Sequence, residues 1–525
     1  MRAKKGKQKG FTLALVLILS TVIVLLSLGI AYISQTGFLS VAAENKYRIA
    51  ENEADWGLNQ VIEAVKSGTQ NCTGTFTLTP PGGKGIVKIF TTSAGDTCFV
   101  WSKAEYGDAE VAKVAAISVG NSPSYGAVLI RDTTKLGFAP GATIESCDYT
   151  CVTPAMILGG NFSPTYYRTR PWWQQYYSLQ VTNCSSLPAL SWRGGKKNST
   201  VYIASNAIPQ VETGADFSKI YNTLFGYGVN DQKDLVSKLS KNYGVTFNGS
   251  VPVGITAQKV WVPPEGLSNI SCTAQNSYIY CSATNGSSKT SFVIKVNPDG
   301  TFSYGSQTYD ALNLKSGSLT VVDLPGGKVV AKEVDVKGSL KNALVVATED
   351  LTIVKRATVS NSELFSSNFY LEKTRGGGPP VVNLYSTLIY AGGDEAKVNL
   401  FHGGPPIDLG TPEAPVSFIF NTKTVDFEAQ GTHGAGKGGS TKELNGLLFV
   451  TERAQNATIL MERPYTFNGA IVSNTPNTTF ELRTTVAFNS TIIRNLASQF
   501  DFLKEPRCGV PQVKESVLFT KMQVY

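Results

Sequence analysis

From residue 11 to residue 33 the chain carries no charged side chain and is nearly all apolar. As a helix, at about 1.5 Å per residue, this run covers roughly 34 Å, enough to cross the hydrocarbon core of a bilayer. The pattern then becomes amphipathic. Val41, Tyr47, Ala50, Ala54, Leu58, Val61, Ile62 and Val65 recur at helical spacing, with Glu44, Lys46, Arg48, Glu51, Glu53, Asp55 and Glu63 between them. Ser67-Gly68 closes the pattern. The spacing predicts one near-continuous helix from 11 to about 66, roughly 84 Å long, loosened at Gly29 and Gly37.

Beyond it the period shortens to that of strands. Residues 86–91, 98–103 and 109–119 form three alternating runs, separated by Gly95-Asp96 and Tyr106-Gly107-Asp108. They predict a small antiparallel sheet over 69–122, packed on the second half of the helix. After Ser122 short apolar runs recur without long helices between them, at 127–130, 155–158, 319–322, 343–347, 387–391, 416–420, 447–451, 469–473 and 486–493. Three share a form, with Asn leading into small and branched residues at Asn342-Ala343, Asn445-Gly446 and Asn468-Gly469. Such units predict stacked rungs, each burying its apolar face against its neighbours. The expected fold is mainly β with a long N-terminal α-helix. After the small antiparallel sheet comes an irregular parallel β-helix, or solenoid, carrying an insertion; a β-sandwich stack is the alternative.

The expected divisions are 1–10 leader, 11–36 apolar helix, 37–68 amphipathic continuation, 69–122 small sheet, 123–160 first rungs, 161–315 insertion, 316–495 main solenoid and 496–525 C-terminal segment. Within 161–315, residues 215–243 read as helix broken near 226–230. Asn297-Pro298-Asp299-Gly300 reads as the turn of a hairpin between 291–296 and 301–304.

Composition narrows the function. Only 16% of residues are charged, against about 25% in average soluble proteins, and Gly is abundant, as turn-rich β structure requires. The chain has only two histidines, His402 and His433, which leaves little for a metal centre or a multi-His active site. Eight cysteines without C-x-x-C spacing read as disulfides in an exported chain. Cys72–Cys98 and Cys272–Cys281 are the expected pairs, and Cys147, Cys151, Cys184 and Cys508 stay unassigned. The formal charge of +8 falls to +3 without Arg2, Lys4, Lys5, Lys7 and Lys9. The basic character thus sits before the apolar run, orienting it with the basic end in the cytoplasm, and gives little support for a nucleic-acid partner.

Lys9-Gly10-Phe11-Thr12-Leu13, following a short basic leader and opening an apolar helix, resembles the N-terminus of type IV pilin-like proteins. Ala50-Glu51-Asn52-Glu53-Ala54-Asp55-Trp56-Gly57-Leu58 resembles the helix of PilX-type minor pilins, downstream of which β-helical domains often occur. The resemblance implies cleavage between Gly10 and Phe11 by prepilin peptidase and N-methylation of Phe11. It implies residence in the inner membrane as a precursor, then assembly with major and minor pilins into an extracellular, surface-displayed filament. Major pilins carry Glu at the fifth mature position, where this chain has Leu15. Within the family that absence implies a place at the filament tip. A plain membrane anchor carrying an exported domain would show the same apolar helix.

The densest candidate chemistry is the aromatic run Tyr166, Tyr167, Arg168, Arg170, Trp172, Trp173, Tyr176 and Tyr177. Exposed, it would suit stacking on surface glycans or bases; buried, it would pack the insertion onto the solenoid. Gly431-Thr432-His433-Gly434-Ala435-Gly436-Lys437 nearly matches a phosphate loop, but Gly438 stands where Ser or Thr is needed and no helix pattern follows. The glycines of 375–378 and 403–404 likewise read as surface loops. No catalytic residue, metal site or cofactor is expected. The reading is a non-enzymatic minor pilin at or near the tip, serving assembly, priming and adhesion. The alternatives are a membrane-anchored β-helix enzyme acting on polysaccharide, a tip pseudopilin of a type II secretion system, and a DNA-capturing pilin.

Overall fold

The computed structural model describes residues 9–66, 74–83, 85–94, 97–118, 125–139, 141–148, 150–166, 178–188, 200–207, 209–354, 356–371, 382–401, 408–430, 442–462, 465–506 and 516–521. The chain is mainly β with a long N-terminal helix, and divides into two compact units, 1–120 with 510–525, and 121–509.

In the first unit a single helix, Lys9–Lys66, runs without interruption through Gly29 and Gly37. Its second half buries Ala50, Ala54, Leu58, Val61 and Ile62 against Val87, Ile89, Val100, Ala104, Val111 and Ala115. The small residues at i, i+4 let the helix lie close to the sheet. At Gly57 a Cβ would come within 2.5 Å of Val87 Cγ1, so only glycine fits. Buried Lys113 pairs with Asp55 at 2.6 Å and Glu51 at 3.6 Å, which matches an inward ammonium of the sheet to the polar edge of the helix. The sheet is antiparallel in the order Gly74–Leu78, Ile86–Ala94, Thr97–Tyr106, Ala109–Ser118, Ser516–Lys521. The final strand was expected as part of an undivided C-terminal segment. It pairs instead with Ala109–Ser118, so the whole second unit is inserted between two neighbouring strands of one sheet.

The second unit is a stack of parallel coils with three faces. One coil runs 387–391 on the first face, Glu395–Phe401 on the second and Asp408–Leu409 on the third. The next begins at Val416–Phe420 and continues at Thr424–Gln430 and 442–445, each strand pairing in parallel with its predecessor. The Asn-Gly corners that looked alike in sequence are stacked in register: Asn445 opposes Asn468 and Gly446 opposes Gly469. Asn468 Nδ2 donates to Asn445 Oδ1 at 3.1 Å, and Asn445 Nδ2 to the Gly410 carbonyl at 3.0 Å. A Cβ on Gly446 would overlap the Val416 carbonyl oxygen.

Coil order does not follow chain order. The first strands of the unit, Val128–Ile130, Lys135–Phe138 and Thr143–Ser146, pair in parallel with the last, Tyr465–Ser473, Thr478–Arg483 and Thr485–Ala487. Segment 161–315, expected as an insertion, supplies coil strands at both its ends. Thr200–Ser205 pairs with Thr143–Ser146 and Val211–Glu212 with Met156–Leu158. Val260–Trp261 and Leu267–Gln275 pair with the opposite end of the stack. The run at 486–493, read as a strand, ends its strand at Ala487 and continues as the helix Ser490–Gln499. Asn489 caps it, accepting from Thr491 N at 3.0 Å and Ile492 N at 3.3 Å.

What crosses between the two ends is a strut over the outside of the first face. It comprises the helices Ile220–Phe225 and Gln232–Tyr243 and the hairpin Val245–Asn248/Val251–Ile255. Asp231 caps the second helix by accepting from Lys233 N and Asp234 N. Tyr221 and Phe225 pack edge-on to Phe449, with ring centroids 5.4 and 4.9 Å apart. Tyr243 and Phe247 lie on Phe365, and Phe247 on Tyr390 at 5.5 Å. Tyr390 Oη donates to the Ser250 carbonyl at 2.8 Å, and Tyr221 Oη to Glu452.

Candidate functional site

The N-terminal helix presents the least ordinary surface. Leu15 to Leu19, Val22 to Leu26, Leu28, Ile30, Tyr32, Ile33, Phe38, Leu39 and Val41 are all exposed. Over its most apolar 18 residues the helix has a mean hydropathy of 2.6 and no buried part. Three of its hydroxyls turn back on the helix: Ser20 and Thr21 donate to the Leu17 carbonyl, Ser27 to that of Ile23, at 2.6–2.9 Å. Turned back on the backbone, these groups demand nothing from the surroundings, as suits a helix passing through an apolar phase. Burial begins at Ala43, and the charges that begin at Glu44 pair within this unit: Arg48 with Glu44 at 2.8 Å and Lys46 with Asp108 at 3.0 Å. One rod thus has an uncovered apolar half and a half built into a sheet.

Gly10 and Phe11 lie in its helical backbone, and Leu15 is exposed, with no carboxylate at that position. In the aromatic run, Thr165–Tyr166 forms a short strand, Tyr166 opposing Phe138. Tyr167, Arg168, Arg170, Trp172, Trp173, Tyr176 and Tyr177 lie outside the described residues, as do His402, His433, the glycine-rich loops at 375–378, 403–404 and 431–437, and Cys72 of the expected Cys72–Cys98 pair. Cys272 and Cys281 face each other across two antiparallel strands and are joined. Cys147 is bonded to Cys184, a pairing the sequence left open, and Cys151 is also disulfide-bonded.

Among the described residues no group of three or more His, Cys, Asp or Glu is arranged to hold a metal ion. Burial pushes up the carboxyls of Glu145, Glu212 and Glu363, the last to about 7. Glu363 lies in a row between Leu344 and Leu388. Glu212 stands on the same face seven strand spacings away, roughly 34 Å, and Glu145 lies on the third face. These three stand apart, while two further carboxyls that burial pushes up, Asp426 and Glu481, lie two strands apart on the second face.

No family model matches the sequence, and no curated protein matches it. Among solved structures, it is similar to the competence-associated pilin ComZ from Thermus thermophilus, at 10% identity and a TM-score of 0.23, over 91% of this chain and 98% of that one. At that score the two backbones do not superimpose well enough to show a shared fold.

Proposed function

We propose that the chain is a minor pilin-type subunit: a non-enzymatic component of a type IV pilus or related filament, displayed at or near its tip. The observation that carries this reading is the division of one unbroken helix. Its exposed apolar half is long enough to span a bilayer, and its other half is the core of a helix-on-antiparallel-sheet unit. A helix uncovered on every side must be covered by lipid or by other helices. A subunit that waits in the inner membrane and then enters a bundle of like helices meets both conditions in turn. The Lys9-Gly10-Phe11 junction supplies the processing step, with prepilin peptidase and the other pilins as partners.

Tip placement is supported by Leu15 and by bulk. A unit of residues 121–509 is far wider than the ~10 Å separating packed helices, which disfavours its repetition along a shaft. The coiled head would then act in adhesion, or in priming and capping of assembly. Mass spectrometry of the N-terminus from sheared filaments tests the reading. A mature chain beginning at methylated Phe11 is expected; an intact Met1, or absence from filaments, would overturn it.

A further inference from the structure

At one end of the coil stack the second face continues into an antiparallel ribbon of Leu267–Gln275, Tyr278–Asn285 and Ser288–Val296. The strands that receive the chain from residue 125, and that lie near its exit, belong to the opposite part of the stack. Tyr125 Oη donates to the Lys504 carbonyl there at 3.2 Å. From Lys135–Phe138 to the ribbon the second face counts nine strand spacings, roughly 43 Å.

The two sides of this ribbon differ sharply. On the inner side Ile279 opposes Ile294 and Cys281 opposes Phe292, whose ring packs on Trp261 and Tyr304 at 5.3 and 6.3 Å. On the outer side Tyr278 and Tyr280, two residues apart on one strand, are 40% and 49% exposed, with ring centroids 6.1 Å apart. With their neighbour Val293, also 47% exposed, they form one contiguous open patch rather than scattered single side chains. Their cross-strand partners are Lys295 and Val293 on one side and Gln275 and Thr273 on the other. Further along, Ser282 lies between Ser271 and Ser291, and Thr284 opposes Lys289. None of the three strands contains an Asp or Glu. The Cys272–Cys281 disulfide ties the first two strands from behind, directly beneath Thr273 and Tyr280, so the platform is pre-organised.

We propose that this face is a binding platform for an acidic polysaccharide, the Tyr278 and Tyr280 rings stacking on pyranose faces. The surrounding hydroxyls and the Gln275 amide would bond sugar hydroxyls, and Lys295 and Lys289 would meet the carboxylates. A rigid sheet rich in hydroxyls matches the spaced hydroxyls of a glycan. Single-stranded nucleic acid would call for a basic groove tracking its phosphates, and the platform has two ammonium groups and no Arg. The proposal deepens the adhesive part of the function above and rests on it for its biological meaning.

The test uses the full chain, purified in a detergent without a sugar headgroup, with calorimetric titration of hexagalacturonate, cellohexaose and an oligothymidylate. Hexagalacturonate is expected to bind best. Tyr278→Ala with Tyr280→Ala should weaken it about tenfold or more with unchanged thermal melting. Tyr280→Phe should retain binding, and Lys295→Gln should weaken it and reduce its salt dependence. Equal binding of cellohexaose would overturn the acidic specificity. Preference for the oligothymidylate, absence of sugar binding, or indifference to the double substitution would overturn the platform. Because no filament is involved, a negative result here leaves N-terminal processing to be judged separately, and the converse holds.

Discussion

Two surfaces of this protein are apolar where most proteins alternate, and they meet different fates. The helix from Leu15 to Val41 is exposed on all sides. The first face of the coil stack is equally apolar on its outer side, yet it is buried: Val416–Phe420 and the C-terminal halves of Asn383–Ala391 and Lys442–Val450 are covered at every position. There the chain supplies its own cover, the strut packing Phe225, Tyr243 and Phe247 onto Phe449, Phe365 and Tyr390. Its outer rows behave as core although they lie outside the coil. The second face shows the contrast inside one unit, since Thr478–Arg483 alternates buried and half-buried positions. Continuous apolarity therefore calls for a cover. For the coil the cover is intramolecular; for the helix it has to come from outside the chain.

The comparison can be broken most forcefully at the helix. Leu25→Asp places a carboxylate in the middle of the exposed run, at a cost of about 3 kcal/mol for insertion. The variant should leave the membrane fraction while the melting of the coiled unit stays unchanged; a membrane-bound variant would argue against an apolar destination. An effect of comparable size is expected on the covered face. Phe449→Ala removes the ring that Tyr221 and Phe225 grip and should destabilise the coiled unit by ~3–5 kcal/mol in denaturant titration, as if it were an interior residue. A loss under ~1 kcal/mol would show that the strut is a loose appendage.

A smaller effect, dependent on pH, is expected at Glu363, whose burial raises its carboxyl from the usual 4.5 to about 7. Between those values the native state holds a proton that the unfolded chain has released. The stability contribution is therefore complete below about pH 4.5 and is lost as pH rises through about 7. Glu363→Gln should flatten that slope and leave the variant ~2 kcal/mol more stable than the parent at pH 8. Identical pH profiles would place this carboxyl in solvent. The smallest effect belongs to a half-buried position on the second face: Thr458→Ala should change stability by less than ~0.5 kcal/mol, sharpening the contrast with Phe449.

The sequence foretold the helix to within a few residues because 3.6-residue periodicity and an uncharged run are local signals. The break between Phe225 and Gln232 was legible for the same reason, as was the Cys272–Cys281 hairpin, whose two strands are consecutive. The extent of the insertion was not legible. Residues 200–212 and 260–275 look like isolated strands until parallel partners from distant coils are found for them. The helix Ser490–Gln499 was hidden because Ile492 and Ile493 adjoin the strand residue Val486 in one apolar run, and the Asn489 cap was the signal that could have separated them. The exposed pair Tyr278/Tyr280 was not legible, because exposed and buried tyrosines are identical in sequence.

By itself the sequence determined an apolar helix, its amphipathic continuation and a series of strand-length rungs, some opened by a similar Asn corner. Those properties depend on neighbours within one or two turns or one rung. Only the tertiary structure decided that the first coil docks on the last, that the final strand returns to the sheet of the first unit, and that the strut covers the first face. These are pairings across hundreds of residues, set by which apolar surfaces find each other when water is excluded, and no local pattern encodes the partner.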